Sequence, residues 1–205
     1  MGISERKLRH REEVKASILH AAKQLVKMEG WQALSVRKIA DVIEYSVPVI
    51  YEYFDNKEAL LFELSLEGFH LLKKDLNAAL VSCAIPEEQL KRLSCAYWDF
   101  AFKNREYYQL MYGIGMPCSS TGRLKPELNI FGRLIGNAMK EIDYLQRMNE
   151  HEIDFRASLL WSMLHGLISI VMMRNPDVDY KMDKEVMEES ITAYITYLRR
   201  FHSPS

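Results

Sequence analysis

The stretch Leu34–Leu60 (LSVRKIADVIEYSVPVIYEYFDNKEAL) limits what this chain can fold into. Val36, Ile39, Ala40 and Ile43 recur at i, i+3, i+4 and i+7, one face of a short helix. Ser35 stands where an N-cap belongs. Glu44-Tyr45-Ser46 is a three-residue break. A second helix is expected from Val47 to about Phe54. Ser46 caps it and Pro48 lies in its first turn, where a missing N–H costs nothing. Ile50 and Phe54 face inward, which leaves Val47, Val49, Tyr51 and Tyr53 outside. Asp55-Asn56 then breaks the chain and Lys57 opens a long helix. Two helices of this size around a short turn form a helix-turn-helix, whose second helix enters the DNA major groove.

These residues also carry a family resemblance. Ser35, Ile39, Ala40, Ser46, Ile50, Tyr51, Phe54, Lys57, Glu58 and Leu60 match, at fixed spacing, the pattern Thr/Ser-x-x-x-Ile-Ala, turn, Ser, Leu/Ile-Tyr-x-x-Phe, Lys-Glu-x-Leu. The stretch thus resembles the amino-terminal domain of the TetR family of bacterial transcription regulators. The resemblance implies an all-α protein of about nine helices: a helix-turn-helix DNA-binding domain (residues 1–56) and a larger helical effector-binding and dimerisation domain (residues 57–205). One position departs from the pattern. The turn residue that is usually Gly is Glu44, and a left-handed backbone there costs about 1–2 kcal/mol.

Composition agrees with this class. Hydrophobic residues make up 48% and charged residues 27% of the 205, as in an ordinary soluble globular chain. No alternating, turn-punctuated strand pattern stands out. The net charge is only −1, but residues 1–40 hold nine Lys/Arg and four Asp/Glu, a local basic footprint. Cys83, Cys95 and Cys118, odd in number and far apart, suggest reduced cytosolic thiols. The polar, basic start carries no signal-peptide pattern. Ser158–Met173 is the longest apolar run, with Arg156 and Arg174 beside its ends. It falls short of the roughly 18–20 residues of a membrane span, so it reads as a helix buried on nearly all sides. A cytoplasmic protein with no membrane contact follows.

The remaining helices are read from periodicity. Arg11–Met28 presents Val14, Ile18, Ala21, Ala22, Leu25 and Val26, and Gly30 takes a left-handed cap. Ahead of it, Arg6, Lys7, Arg9 and Arg11 form either a basic arm or first turn that touches phosphates, or a solvated terminus. Helices follow at about 57–82, 87–102, 105–112, 126–147, 152–174 and 183–201, with a long loop from Gly113 to Pro126 and a break at Asn175-Pro176-Asp177. A helix apolar on all sides needs a cover outside as well as inside. The simplest cover is a second copy, giving a homodimer through the last two helices and matching a palindromic operator. Gly166, costing about 1 kcal/mol against Ala, is expected to permit close helix approach. Trp161-x-x-x-His165-Gly166 and Tyr107–Met111 resemble motifs of one TetR subgroup.

Ten residues are candidates for DNA contact. Lys57 opens a helix whose dipole favours a phosphate. Val47, Pro48 and Val49 can touch a thymine methyl or a sugar. The resemblance places Arg37 against phosphate or a base edge, Tyr51 against phosphate, and Tyr53 at a further contact; Ser35, Lys38 and Ser46 complete the set. Val47–Phe54 carries no positive charge, so Arg37, Lys38, Lys57 and the basic amino end must supply attraction. The resemblance also implies an unknown small-molecule effector, apolar or aromatic. Tyr97, Trp98, Phe102, Tyr108, Met111, Tyr112, Phe131, Trp161 and His165, with Tyr107 and Met116, are candidates to line its cavity. All have a second reading as plain core, and His165 as a hydrogen-bonded core histidine. No phosphate loop, nucleophile elbow or His/Cys cluster points to an enzyme, a cofactor or a metal. Two alternatives stay open: a helical interaction module that has lost DNA binding, and a thiol-responsive regulator working through Cys118.

Overall fold

The computed structural model describes residues 3–113, 127, 129–174 and 180–202 of the 205. Among the described residues there are nine α-helices and no strand: α1 (Ile3–Glu29), α2 (Val36–Val42), α3 (Val47–Tyr51), α4 (Lys57–Val81), α5 (Pro86–Lys103), α6 (Arg105–Tyr112), α7 (Ile130–Lys140), α8 (Glu150–Met172) and α9 (Lys181–His202). Short 3₁₀ turns cover Trp31–Ala33 and Asp143–Leu145. The chain divides into two compact units, Met1–Gly68 with Glu106–Arg123, and Phe69–Arg105 with Leu124–Ser205. The expected Gly113–Pro126 loop past Gly113, the Asn175-Pro176-Asp177 break, Met116 and Cys118 lie outside the described residues.

In the first unit one core joins α1, α2, α3, the start of α4 and α6. It is made of Val14, Ile18, Ala21, Ala22, Leu25, Val26, Leu34, Ile39, Ala40, Ile50, Phe54, Leu60, Leu64 and Leu110. The apolar positions read from periodicity in α1 are all buried; of those read in and just after α2, Ile39 and Ala40 are buried while Val36 and Ile43 are half-buried and pack against the core. Polar groups fix the joints. Trp31 Nε1 donates to the Glu106 carbonyl at 3.1 Å, and Lys23 pairs with Glu67 at 2.8 Å. Gly68 lets α6 lie close: a Cβ there would stand 2.6 Å from Met111 Sδ.

In the second unit α7 packs on α5 and α8, and α9 packs on α5 and α8. A Cβ at Gly136 would touch Ile153 Cγ2 at 3.6 Å and Ala157 Cβ at 4.0 Å, so a small residue sets that α7–α8 spacing. α8 starts two residues before its expected position because Asn149 and Glu152 form a reciprocal capping box. α7 stops at Lys140, earlier than expected. There the chain turns into the Asp143–Leu145 3₁₀ segment, which places Tyr144 on Glu87. Arg105 donates to the Met172 carbonyl at the end of α8 at 2.6 Å. Buried Asp183 is held by both oxygens on Arg174, at 2.9 and 3.0 Å.

Three expectations need correction. The first helix starts at Ile3 rather than about Arg11, so of the two readings of the basic amino end the helical one holds and the arm does not, because Glu, Arg, Lys and Leu are good helix formers. Gly30 has positive φ (78°), but its ψ of 169° is outside the left-handed helical well. It occupies a glycine-only region instead. The apolar helix α8 is not enclosed within the chain: 33% of its most apolar window is buried, and Phe155, Leu159, Ile170 and the following Met173 are exposed. It is also long and apolar enough to cross a membrane by length and composition alone.

Glu87 gathers Arg199 Nε at 2.8 Å, Arg199 Nη2 and the Tyr144 hydroxyl at 2.5 Å, joining α5, α9 and the 3₁₀ turn. The Arg199 hydrogen bond holds its carboxyl below the usual glutamate value, against burial that pushes it up. A depressed folded pKa contributes stability above the unfolded value, near pH 4.3 for Glu, and loses it as pH falls through the folded value. Glu87→Gln is therefore expected to lower the thermal midpoint at pH 7 by an amount equivalent to about 1 kcal/mol. The gap to wild type should close in melts at progressively acidic pH.

Candidate nucleic-acid interface and ligand site

The helix-turn-helix is built from its caps and its turn. Ser35 caps α2, its hydroxyl accepting the Lys38 N–H at 3.2 Å. At the other end the Tyr45 N–H reaches the Ala40 carbonyl at 3.0 Å and the Glu44 N–H the Asp41 carbonyl at 3.4 Å. That pair of bonds is a Schellman closure. It needs a left-handed residue between the helices, and Glu44 takes it with φ 58°. The turn thus keeps the geometry expected of Gly. Ser46 sits at the cap position of α3, but its hydroxyl makes no capping bond. Pro48 is in the first turn as expected. Helical geometry ends at Tyr51, not Phe54, with Glu52 as the C-cap, yet Ile50 and Phe54 remain buried.

The candidate DNA contacts fall into three groups. Arg37, Ser46, Pro48 and Tyr51 are exposed, Tyr51 to 48%. Arg37 makes no hydrogen bond or ion pair among the described residues. Val47, Val49 and Tyr53 are half-buried, with Val47 and Tyr53 resting on the core. The Arg11 guanidinium lies 5.9 Å from the Tyr53 ring centre. The two lysines already have partners. Lys38 pairs with Glu29, and Lys57 Nζ donates to the Leu34 carbonyl at 2.6 Å, leaving two N–H groups for a phosphate. Asn56, which the pattern left as a simple break, caps α4 by accepting the Ala59 N–H at 2.8 Å.

The aromatic candidates separate. Tyr97, Phe131, Trp161 and His165 come together in the second unit. Tyr97 stacks on Phe131 with centroids 4.2 Å apart, accepts from Trp161 Nε1 at 3.1 Å, and lies 3.4 Å from His165 Nδ1. Burial holds the His165 imidazole below its ordinary value. That burial favours the neutral ring, and in the tautomer protonated at Nε2 its Nδ1 accepts a hydrogen bond from the Tyr97 hydroxyl. Trp98, next on the same helix, points about 100° away and packs on Phe102, which stacks on Tyr180. Tyr108, Met111 and Tyr112 are on α6 in the first unit, where Tyr108 and Tyr112 pack at 4.7 Å. Among the described residues, nothing comes within 4 Å of a Cβ placed on Gly166. The close approach expected there is not made by any described element of the same chain.

Two family models match. Residues 18–64 fit the model described as bacterial regulatory proteins, tetR family, and residues 90–194 fit the tetracyclin repressor-like C-terminal domain. The chain belongs to the TetR family. It is a TetR-family transcriptional regulator, with an amino-terminal helix-turn-helix and a helical carboxy-terminal domain. No curated protein sequence matches it. Among solved structures it is similar to the TetR family transcriptional regulator PfmR from Thermus thermophilus, at 23% identity and a TM-score of 0.62, covering 89% of this chain and 97% of that one. A TetR-family regulator from Bordetella parapertussis 12822 matches at 17% identity and a TM-score of 0.65, covering 90% and 95%. The superantigen PfiT matches at 13% and 0.64, covering 87% and 94%. Identities this low carry the fold alone.

The left-handed backbone at Glu44 in this TetR-family turn gives a direct prediction. Glu44→Gly is expected to raise unfolding stability by about 1 kcal/mol, while Glu44→Ala, which keeps the Cβ, gives no such gain. Urea denaturation of the three proteins measures it.

Proposed function

We propose that this TetR-family regulator is a cytoplasmic repressor that binds a palindromic operator as a homodimer through α8 and α9 and leaves it when a small apolar or aromatic effector binds. The observation that carries the reading is the uncovered stripe of α8. Phe155, Leu159, Gly166, Ile170 and Met173 share one face of the helix register, and the four large side chains are exposed. A second copy of the same stripe covers it, and half-buried Gly166, where a Cβ would meet no described atom within 4 Å, is where two such helices can meet closely. An isologous pairing of this kind presents two reading heads to half-sites about 34–36 Å apart.

On each head Arg37 and Tyr51 are placed to meet DNA first, with Val47, Pro48 and Val49 against sugars or thymine methyls. Ser35 and Ser46 hydroxyls and Tyr53 add polar contacts. Lys38 exchanges Glu29 for a phosphate, and Lys57 adds a phosphate to its Leu34 bond. In the second unit half-buried Trp161 and His165, backed by the fully buried Tyr97–Phe131 stack, are the accessible part of the group, which suits an uncharged aromatic ligand. Trp98, Phe102, Tyr108, Met111 and Tyr112 remain candidate contacts. The effector acts by preferring the conformation whose heads are wrongly spaced. Arg105 is bonded within the second unit and the next residue, Glu106, within the first.

Two measurements test the reading. Selection of bound sites from random DNA is expected to return a palindrome, with affinity falling steeply between 50 and 200 mM salt; an asymmetric or salt-indifferent site would count against it. Phe155→Glu with Leu159→Glu is expected to give a monomer by light scattering and to abolish operator binding. A double variant that stayed dimeric would remove α8 from the interface.

A further inference from the structure

The face of α1 that builds the core does not end where the core ends. Leu25, Ala21, Ile18 and Val14 follow one another at helical spacing and are buried. The same stripe continues towards the amino terminus as Arg11 and Lys7, three and seven residues before Val14, with His10 and Arg6 flanking it. Residues 5–13 are all exposed, so about 14 Å of helix (1.5 Å per residue) projects past the first buried residue. Glu5 and Glu12 are on the opposite side of this projection, and Glu13 is beside Arg6 at its flank. The stripe therefore changes from apolar to cationic at the edge of the domain, while its direction is unchanged.

Two ring contacts say what that cationic stripe runs beside. The Arg11 guanidinium is 5.9 Å from the centre of the Tyr53 ring, two residues past the end of α3. One turn further on, Lys15 lies 5.6 Å from the Phe54 ring centre and pairs with Glu63 at 3.1 Å. The projection is thus continuous with the reading face. It also lies ahead of residues 18–64, the segment that the family model matches.

We infer that residues 5–13 are a second DNA-contacting element, in which Lys7 and Arg11, flanked by Arg6 and His10, clamp phosphates beside the bases that α3 reads. This rests on the DNA-binding reading of α3. The shape of the element decides the kind of contact. A helix with side chains is about 10–12 Å across, and the minor groove is about 6 Å wide. The element cannot enter the groove as an extended arm would. It rides the backbone, where contacts position the protein and add affinity without reading sequence.

The test compares wild type, Lys7→Gln/Arg11→Gln, and Arg9→Gln, whose charge is removed from the opposite side of the same helix. The probes are the selected operator and a scrambled duplex of equal length, each titrated across salt, with circular dichroism to confirm that each variant is folded. Removing one cation that neutralises a phosphate should flatten the slope of log affinity against log salt by about 0.9. The double variant is expected to bind operator and scrambled duplex more weakly by the same factor, leaving their ratio unchanged. Arg9→Gln should leave the slope near wild type. Trimming the operator flanks should abolish the difference between the double variant and wild type. A double variant with wild-type slope on the operator would overturn the clamp while leaving the regulator reading intact, and so would equal effects from both sides of the helix. A wild-type protein that did not prefer operator over scrambled duplex would overturn both.

Discussion

The DNA-reading half depends on the burial of two side chains, Ile50 and Phe54. A five-residue helix such as α3 has no stability of its own, because nucleation costs more than one or two internal hydrogen bonds return. It exists because Ile50 and Phe54 are pressed into a core that α1 supplies from Val14 to Val26. Full burial of an aliphatic or aromatic side chain contributes about 1.5–3 kcal/mol. That is enough to offset the left-handed turn at Glu44, whose cost is of similar size. The fixed inner face leaves the outer face free to vary. Pro48, Val49 and Tyr51 can therefore be chosen largely for what they meet outside, whereas Val47 also packs on the core.

Much of this was legible in the sequence because it is local. Ser35, the i, i+3, i+4 spacing of α2, and Pro48 each state a rule of backbone geometry that no distant contact overrides. What the sequence left uncertain was set by partners far along the chain. Lys57 reads as a cation at a helix start, yet its ammonium is on the Leu34 carbonyl, 23 residues away. Lys38 reads as free and is paired with Glu29. The early end of α7 follows from Tyr144 reaching Glu87 on α5, which nothing near Tyr144 announces. The helical start of the chain is hidden for a different reason. Residues 5–13 carry no apolar stripe, so periodicity is silent there, although helix propensity alone favours the observed state. The capping box at Asn149 and Glu152 is a signal that the sequence does carry, and it alone places the start of α8.

The candidate ligand residues show how far a composition argument reaches. Aromatic residues crowd α5, α6 and α8, but neighbours on one helix face different ways. Tyr97 and Trp98 belong to separate clusters for that reason alone. Only a three-dimensional arrangement could select Tyr97, Phe131, Trp161 and His165 as a group. The similarity to the superantigen PfiT makes the same point for the whole fold. A shared helical scaffold does not fix function, and the site must be argued from its own side chains.

The same limit applies to α8, where length and apolar content alone admit two readings. A membrane span has lipid on every side, whereas α8 is clasped on one face through Ile153, Ala157, Leu160, Leu164 and Ile168 and exposed on the other. Its first turn is acidic and closed by a capping box, which suits a helix that begins in water. The exposed stripe is also arranged in a way a membrane would not require. Gly166 divides it, with Phe155 and Leu159 before and Ile170 and Met173 after. In the proposed homodimer, a two-fold axis near Gly166 would bring the large residues before it on one helix against those after it on the other. The partner backbone would then fill the gap left by the missing side chain. The glycine costs this helix about 1 kcal/mol in isolation, and nothing among the described residues uses the space it leaves. A self-complementary helix pair gives that cost a physical reason.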